Sequence, residues 1–352
     1  NIKKMILQGI PEKMPVKKSY NNNISHAPKR KSILNKEEKI LAIKNALRYF
    51  PVKFHKKLSK EFNEELKKYG RIYMYRFKPE YEIKARHIEE FPYKSKQAAG
   101  IMMMLSNNLD NDIAQHPDEL ITYGGNGSVF QNWAQYLLCM KYLAEMTDEQ
   151  TLVLYSGHPL GLFPSDKKSP RLIVTNGMMI PNYSKQDDWE KFNAMGVTQF
   201  GQMTAGSFMY IGPQGIVHGT NITVLNAARK IDPKSKNLKG KVFLTAGLGG
   251  MSGAQPKAAV IAKGVCLVAE INTAAIKKRK KQGWVDEVYK DLDLVLKRTL
   301  QARKNKEAVS IAYEGNIVDL LEKIVTKNIN IEIGSDQTSL HNPFSGGYYP
   351  VG

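Results

Sequence analysis

The run Gly247-Leu248-Gly249-Gly250-Met251-Ser252-Gly253 is the clearest candidate for chemistry in the chain. It follows Lys241–Thr245, which reads as a strand, and opens Ala254–Lys263, which reads as a helix. A glycine turn in that context lets backbone amides approach an anion, because no Cβ intervenes and a helix N-terminus favours negative charge. From Gly247 the pattern is G-x-G-x-x-S, without the usual final glycine. Glu270 stands 23 residues past Gly247, at the end of the next apolar run. A carboxylate there accepts hydrogen bonds from ribose hydroxyls and repels a 2′-phosphate, so the pair predicts NAD rather than NADP. The alternative is a structural glycine turn with an unrelated surface glutamate.

Three further segments offer ligand groups. Tyr123-Gly124-Gly125-Asn126-Gly127 suits close backbone approach, and equally an ordinary loop and helix cap. Gln199–Gly206, leading into Tyr210–Gly215, supplies amides and hydroxyls, as a plain surface loop also would. Asp336–Pro343 follows the last strand of a parallel set, where ligands of such sheets bind, although a solvated turn looks the same. Asn316, after the strand Val309–Tyr313, occupies the matching position. His158 and His218 lack partners at metal-site spacing and read as hydrogen-bonded structural histidines. Neither a G-x-S-x-G elbow nor a G-x-x-x-x-G-K-[ST] loop occurs.

The elements that must position these residues follow from periodicity. Asn35 and Glu38 form a box-like cap ahead of the stripe Ile40, Leu41, Ile43, Ala46 and Leu47, and a charged helix follows near 56–68. Arg71–Phe77 alternates as a strand, while Ala98–Leu105 and Gln131–Met146 read as helices. Leu152–Tyr155 and Leu172–Thr175 read as short buried strands. Beyond about 232, strand and helix alternate: Lys241–Thr245, Ala254–Lys263, Val265–Ile271, a long helix 273–303, Val309–Tyr313, Ile317–Ile324 and Ile329–Ile333. That alternation predicts an α/β fold with a doubly wound parallel sheet.

Composition bounds the rest. A chain of 352 residues with 42% apolar and 24% charged residues fits about two globular domains. No apolar run is long enough for a membrane span, and no signal-peptide pattern opens the chain, so neither a membrane partner nor export is expected. Cys139 and Cys266 are too few for a disulfide framework, read as small buried hydrophobes, and fit a reducing, cytoplasmic setting. The net charge is +19, and residues 1–70 carry 18 Lys/Arg against 6 Asp/Glu. Those cations lack an aromatic interleave and match no nucleic-acid reader, so a solvated, partly disordered arm over 1–34 is expected and no nucleic-acid partner. The run Lys277–Lys281 reads as an exposed helix face.

Taken together, these segments resemble urocanase (urocanate hydratase). The resemblance is carried by Tyr123–Gly127, Ser156-Gly157-His158-Pro159-Leu160-Gly161, Gly201–Gly206 with Tyr210–Gly219, Gly247–Pro256 and Asp336–Tyr349, in the family's order across about 110–352. Residues 1–100 match more loosely, in the manner of longer eukaryotic members. The resemblance implies a Rossmann-type doubly wound parallel sheet domain inserted in a mixed α/β core domain. The expected organisation is a basic arm at 1–34, a core domain at 35–225 and an NAD-binding domain at 226–352. It also implies addition of water to urocanate, giving imidazolonepropionate, in histidine degradation. The urocanate imidazole attacks C4 of the nicotinamide, the ring then takes up a proton and water, and no net hydride moves. Carried over by motif, Gly124, Gly125 and Gln202 touch NAD, Gly250, Met251 and Ser252 hold the pyrophosphate, and Glu270 holds the ribose. Asn316, Ile317 and the stretch Gln337, Thr338, Ser339, Leu340 and His341 line the cofactor. Tyr348 and Tyr349 do so too, with the register shifted by an extra glycine at Gly346-Gly347. Tyr123 matches a tyrosine beside the substrate, whose phenol donates or relays a proton.

This sequence departs from the family at Ser252, where many bacterial members have Gly, and at Ala275, where they have Arg. The family's active-site cysteine lies downstream of Gly352, and neither Cys139 nor Cys266 occupies its motif. With Asn at position 1, a fragment is therefore expected. A homodimer is implied. The competing readings are a conventional NAD-dependent oxidoreductase and an NAD-binding fragment without catalysis.

Overall fold

In the computed structural model, which describes all residues except 19, 20, 22, 124, 126, 177–184, 200–205, 209–211 and 336–352, the chain divides into two units, Asn1–Ile211 and Gly212–Gly352.

The first unit is mixed α/β. Helix α1 (Ile2–Gln8) is capped by the Asn1 side chain, and Ile6 is 1% exposed within the core. Helix α2 (Lys36–Leu47) starts on a full capping box: Asn35 accepts from the Glu38 amide and Glu38 accepts from the Asn35 amide, both at 2.9 Å. Helix α3 (Val52–Tyr69) buries Phe54, Leu58, Phe62 and Leu66, one residue per turn, and ends on Gly70 with φ 72°. Helix α4 (Lys96–Asn108), the hairpin β1 (Ile121–Tyr123) and β2 (Gly127–Ser128), and helix α5 (Trp133–Glu145) complete the centre. Its core gathers Leu58, Phe62, Met102, Phe130, Trp133 and Tyr136, all fully buried. Burying such a side chain stabilises by about 1.5–3 kcal/mol. A three-stranded sheet follows: β3 (Gln150–Tyr155) pairs antiparallel with β4 (His158–Pro164) and parallel with β5 (Leu172–Thr175). Helix α6 (Gln186–Ala194) follows, and beyond it Phe208 returns to the core.

Two expectations fail here. Residues 1–34 are not a detached arm, because Ile6 and Leu34 are buried and Ser25–Arg30 bonds to the body of the unit. Arg71–Phe77 is not a strand. Met74 is left-handed at φ 61°, and the amides of Met74 and Tyr75 go to the Glu65 carboxylate instead of a neighbouring strand. The residues after Met74 form a 3₁₀ turn, Tyr75–Phe77.

The second unit begins with Gly212 at φ 95° and helix α7 (Pro213–Ile231), which runs unbroken through the boundary expected at 225/226; the units part at 211/212 instead. Strand β6 (Val242–Ala246), helix α8 (Gln255–Ile261), strand β7 (Val265–Glu270) and helix α9 (Thr273–Lys281) follow. Strand β8 (Glu287–Tyr289), helix α10 (Leu292–Asn305), strand β9 (Val309–Glu314), helix α11 (Ile317–Thr326) and strand β10 (Ile333–Gly334) complete it. The sheet is parallel throughout, in the order β10-β6-β7-β9-β8. Alternation along the strands sends Phe243, Cys266 and Val268 to one face, with α7, α8 and α9. It sends Val242, Leu244, Val265 and Leu267 to the other, with α10 and α11. Helices on both faces of a parallel sheet make the expected doubly wound fold.

The helix expected over 273–303 is two helices with β8 between them. Gly283 turns the chain at φ 68°, and the Asp286 carboxylate accepts from the Ser310 amide and hydroxyl, both at 2.8 Å. Asp291 then caps α10 at the Leu294 amide. The lysine run masks this break. Among the described residues, no helix is long and apolar enough to cross a membrane.

Candidate functional site

The carboxyl ends of β6, β7 and β9 bring one group of predicted residues together. Gly247 leaves β6 at φ 88°, and its amide donates to the Ala269 carbonyl at 2.8 Å. A Cβ on Gly247 would sit 2.6 Å from Ser252 Oγ, so this position is closed to larger residues by space as well as by backbone angle. The Leu248 amide donates to one Glu270 carboxylate oxygen at 2.6 Å, and the Asn272 amide donates to the other at 2.8 Å. Glu270 is thus a brace that ties the glycine turn to the end of β7, with 8% exposure. Gly315 donates its amide to the Glu270 carbonyl at 3.0 Å, and Asn316 caps α11 by accepting from the Val318 amide. Gly250, Met251, Ser252, Glu270, Asn316 and Ile317 therefore share one edge of the sheet.

Arg279 was not foreseen. It lies in the lysine run read as an exposed face, yet it is 3% exposed. Its Nε donates to the Leu248 carbonyl at 3.1 Å, its Nη2 donates to the Gly249 carbonyl, and its guanidinium stacks over Trp284 at 5.4 Å. A Cβ on Gly253 would overlap Arg279 Nε, so the last glycine of the turn leaves room for this clamp. Arg279 lies one helical turn beyond Ala275 in α9. The signal in the sequence was the single Arg among lysines, since a planar fork suits two carbonyls better than an ammonium does. Gln255 was also missed. Its Oε1 accepts from Thr245 Oγ1 at 3.0 Å and Ser335 Oγ at 2.9 Å, where β6 and β10 adjoin.

The first unit holds Tyr123 and Gly125. Tyr123 ends β1 and is 6% exposed. Gly125, at φ 79°, donates its amide to Gln115 Oε1 at 2.8 Å. In the segment Ser156–Gly161, the turn Ser156-Gly157 (φ 48° and 81°) joins β3 to β4. His158, read as a hydrogen-bonded histidine, has its buried Nδ1 without a partner and meets the Tyr49 ring edge-on at 5.3 Å. Burial, reinforced by the Arg48 charge, pushes its pKa down to about 4. Gly124, Gln202, Gln337, Thr338, Ser339, Leu340, His341, Tyr348 and Tyr349 lie outside the described residues. Among the described residues, no three His, Cys, Asp or Glu side chains group as a metal site.

One observation at the turn fits an anionic cofactor: Ser252 Oγ and Gln255 Nε2 are buried without partners, a state that a bound group would relieve. Fold and turn place the second unit in the class of Rossmann-like, nucleotide-cofactor domains. The comparisons agree. Residues 212–352 match the urocanase Rossmann-like domain, and residues 83–209 match the urocanase N-terminal domain. The chain is 62% identical over 347 residues to a protein of Dictyostelium discoideum named probable urocanate hydratase, covering 98% of this chain and 51% of that one. It is 55% identical over 352 residues to human urocanate hydratase, covering 98% and 52%. It is 58% identical over 331 residues to a probable urocanate hydratase of Caenorhabditis elegans, covering 94% and 49%. The chain belongs to the urocanase family. It spans about half the length of the curated relatives it matches.

Proposed function

We propose that the protein is a urocanate hydratase, adding water to urocanate to give imidazolonepropionate with NAD+ held by the second unit. The observation that carries this reading is the braced glycine turn beside Glu270 in a chain of the urocanase family. When bound, NAD+ supplies an electron sink at its nicotinamide ring. The chain's own residues do the holding and proton handling. Glu270 and Arg279 fix the turn from below, so its backbone is set for a pyrophosphate before binding and little ordering is left to be done then. After its two backbone bonds, each Glu270 oxygen keeps acceptor capacity for a ribose hydroxyl, and its charge disfavours a 2′-phosphate. Asn316 and Ile317 border the same edge. Tyr123 is the proton carrier on the substrate side, with Gly125 beside it.

The resemblance also supports a cytoplasmic homodimer. The test uses the protein at its full genomic length. Urocanate is added and its ultraviolet absorbance followed, with NAD content measured before and after. Loss of absorbance with NAD retained and unreduced is the expected outcome. Steady absorbance from protein that carries NAD would overturn the proposal, and accumulating NADH would indicate hydride transfer instead.

A further inference from the structure

Gly125 sits at the tip of a hairpin whose base and tip are both held by the chain's N-terminal stretch. At the base, Ser25 Oγ bonds His116 Nδ1 at 3.1 Å, and His116 pairs with Ile121 at the start of β1. The buried carboxylate of Glu119 gathers His26 Nδ1 at 2.8 Å, the Ala27 amide at 3.1 Å and the Tyr75 hydroxyl at 2.6 Å. Arg30 is then seated against the end of α3. Its amide donates to the Tyr69 carbonyl at 3.0 Å, and its own carbonyl lies 2.5 Å from where a Cβ on Gly70 would be. Only glycine leaves that notch open. From this seat Arg30 Nη2 reaches the Gly125 carbonyl at 3.4 Å, while Gln115 takes the Gly125 amide at 2.8 Å. Both peptide groups of a left-handed glycine are thereby fixed.

We propose that Ser25–Arg30 is a strap that presets the Gly125 hairpin, with Arg30 and Gln115 as positioning residues for the loop assigned to the cofactor. The assignment to the cofactor rests on the proposed function; the strap's hold on the hairpin does not. A basic stretch that composition marks as solvated tail thus becomes part of the binding apparatus, through the specific bonds of Ser25, His26, Ala27 and Arg30.

The test uses the full-length protein and the variants Arg30→Met, Arg30→Lys and Gln115→Leu, with Lys29→Met, an exposed neighbour, as control. Hydrogen exchange of the peptide covering 121–128 is expected to quicken roughly tenfold in Arg30→Met and Gln115→Leu while exchange in the core helix 133–145 holds. Bound NAD should be lost on dialysis faster by a similar factor, and Arg30→Lys should restore part of both. Hairpin exchange that is unchanged, or that rises only together with the core helix, overturns the strap. If Arg30→Met does not fold, Gln115→Leu and Arg30→Lys give the same reading. Should the wild type carry no NAD, the proposed function fails, while hairpin exchange still decides the strap.

Discussion

Glu65 carries a pH dependence of unusual sign for a carboxylate. Burial pushes its pKa up to about 7, against the pull of the Met74 and Tyr75 amides and aided by Glu61. The folded protein therefore keeps a proton that the unfolded chain releases near 4.5. Between those values the folded state binds more protons, so stability falls as pH rises, by about 3 kcal/mol at most. Denaturant titration of the first unit, followed through the fluorescence of buried Trp133, should show a lower midpoint at pH 8 than at pH 5.5. Glu65→Gln should flatten that difference; an equal drop in both proteins would refute the assignment. None of this was legible in the sequence, where Glu65 is one acid in a charged helix. Its burial follows from lying one turn from Glu61 and beside Leu66 on the inward face, a placement that charge alone argues against.

At the scale of elements, legibility followed locality. The capping box at Asn35, the strands β6, β7 and β9 and the glycine turn were readable because each has a local signature within a few residues. The missed features depend on contacts from far along the chain. Arg71–Phe77 loses its strand to the Glu65 carboxylate, and β8 exists because Ser310 holds Asp286 across 24 residues. In the candidate site the turn and Glu270 were found as a pair, but their direct bond and the clamp by Arg279 were not, because a lysine run conceals one buried arginine. The turn, Glu270 and Arg279 act as one element, and that yields a matched prediction. Arg279→Met strips hydrogen bonds from the Leu248 and Gly249 carbonyls, while Gly253→Ala leaves Arg279 intact but displaces it. Both should weaken NAD retention by roughly tenfold or more, the worth of one or two charged hydrogen bonds. Equilibrium dialysis decides it, and wild-type retention in Gly253→Ala would show that the clamp does not set the turn.

On the scale of the whole molecule, each unit contains one cysteine. Cys139 lies in α5 and Cys266 in β7; both are fully buried, and burial holds both thiols far above the ordinary range. A thiolate is the reactive form, so neither should react with iodoacetamide in native buffer. In rising denaturant each should become reactive only when its own unit opens, giving two labelling midpoints that peptide mapping separates. Prompt labelling of either thiol in native buffer would contradict the burial described above.

The strand order of the second unit also has a consequence in time. β6 is the first of its strands to leave the ribosome, yet it lies inside the sheet, between β7 and a partner, β10, made roughly ninety residues later. Until Ile333 emerges, one side of β6 presents unpaired amides and carbonyls to the cell, an edge that other nascent chains can join. Synthesis speed and chaperone cover across that interval therefore bear on how much of the protein arrives correctly folded.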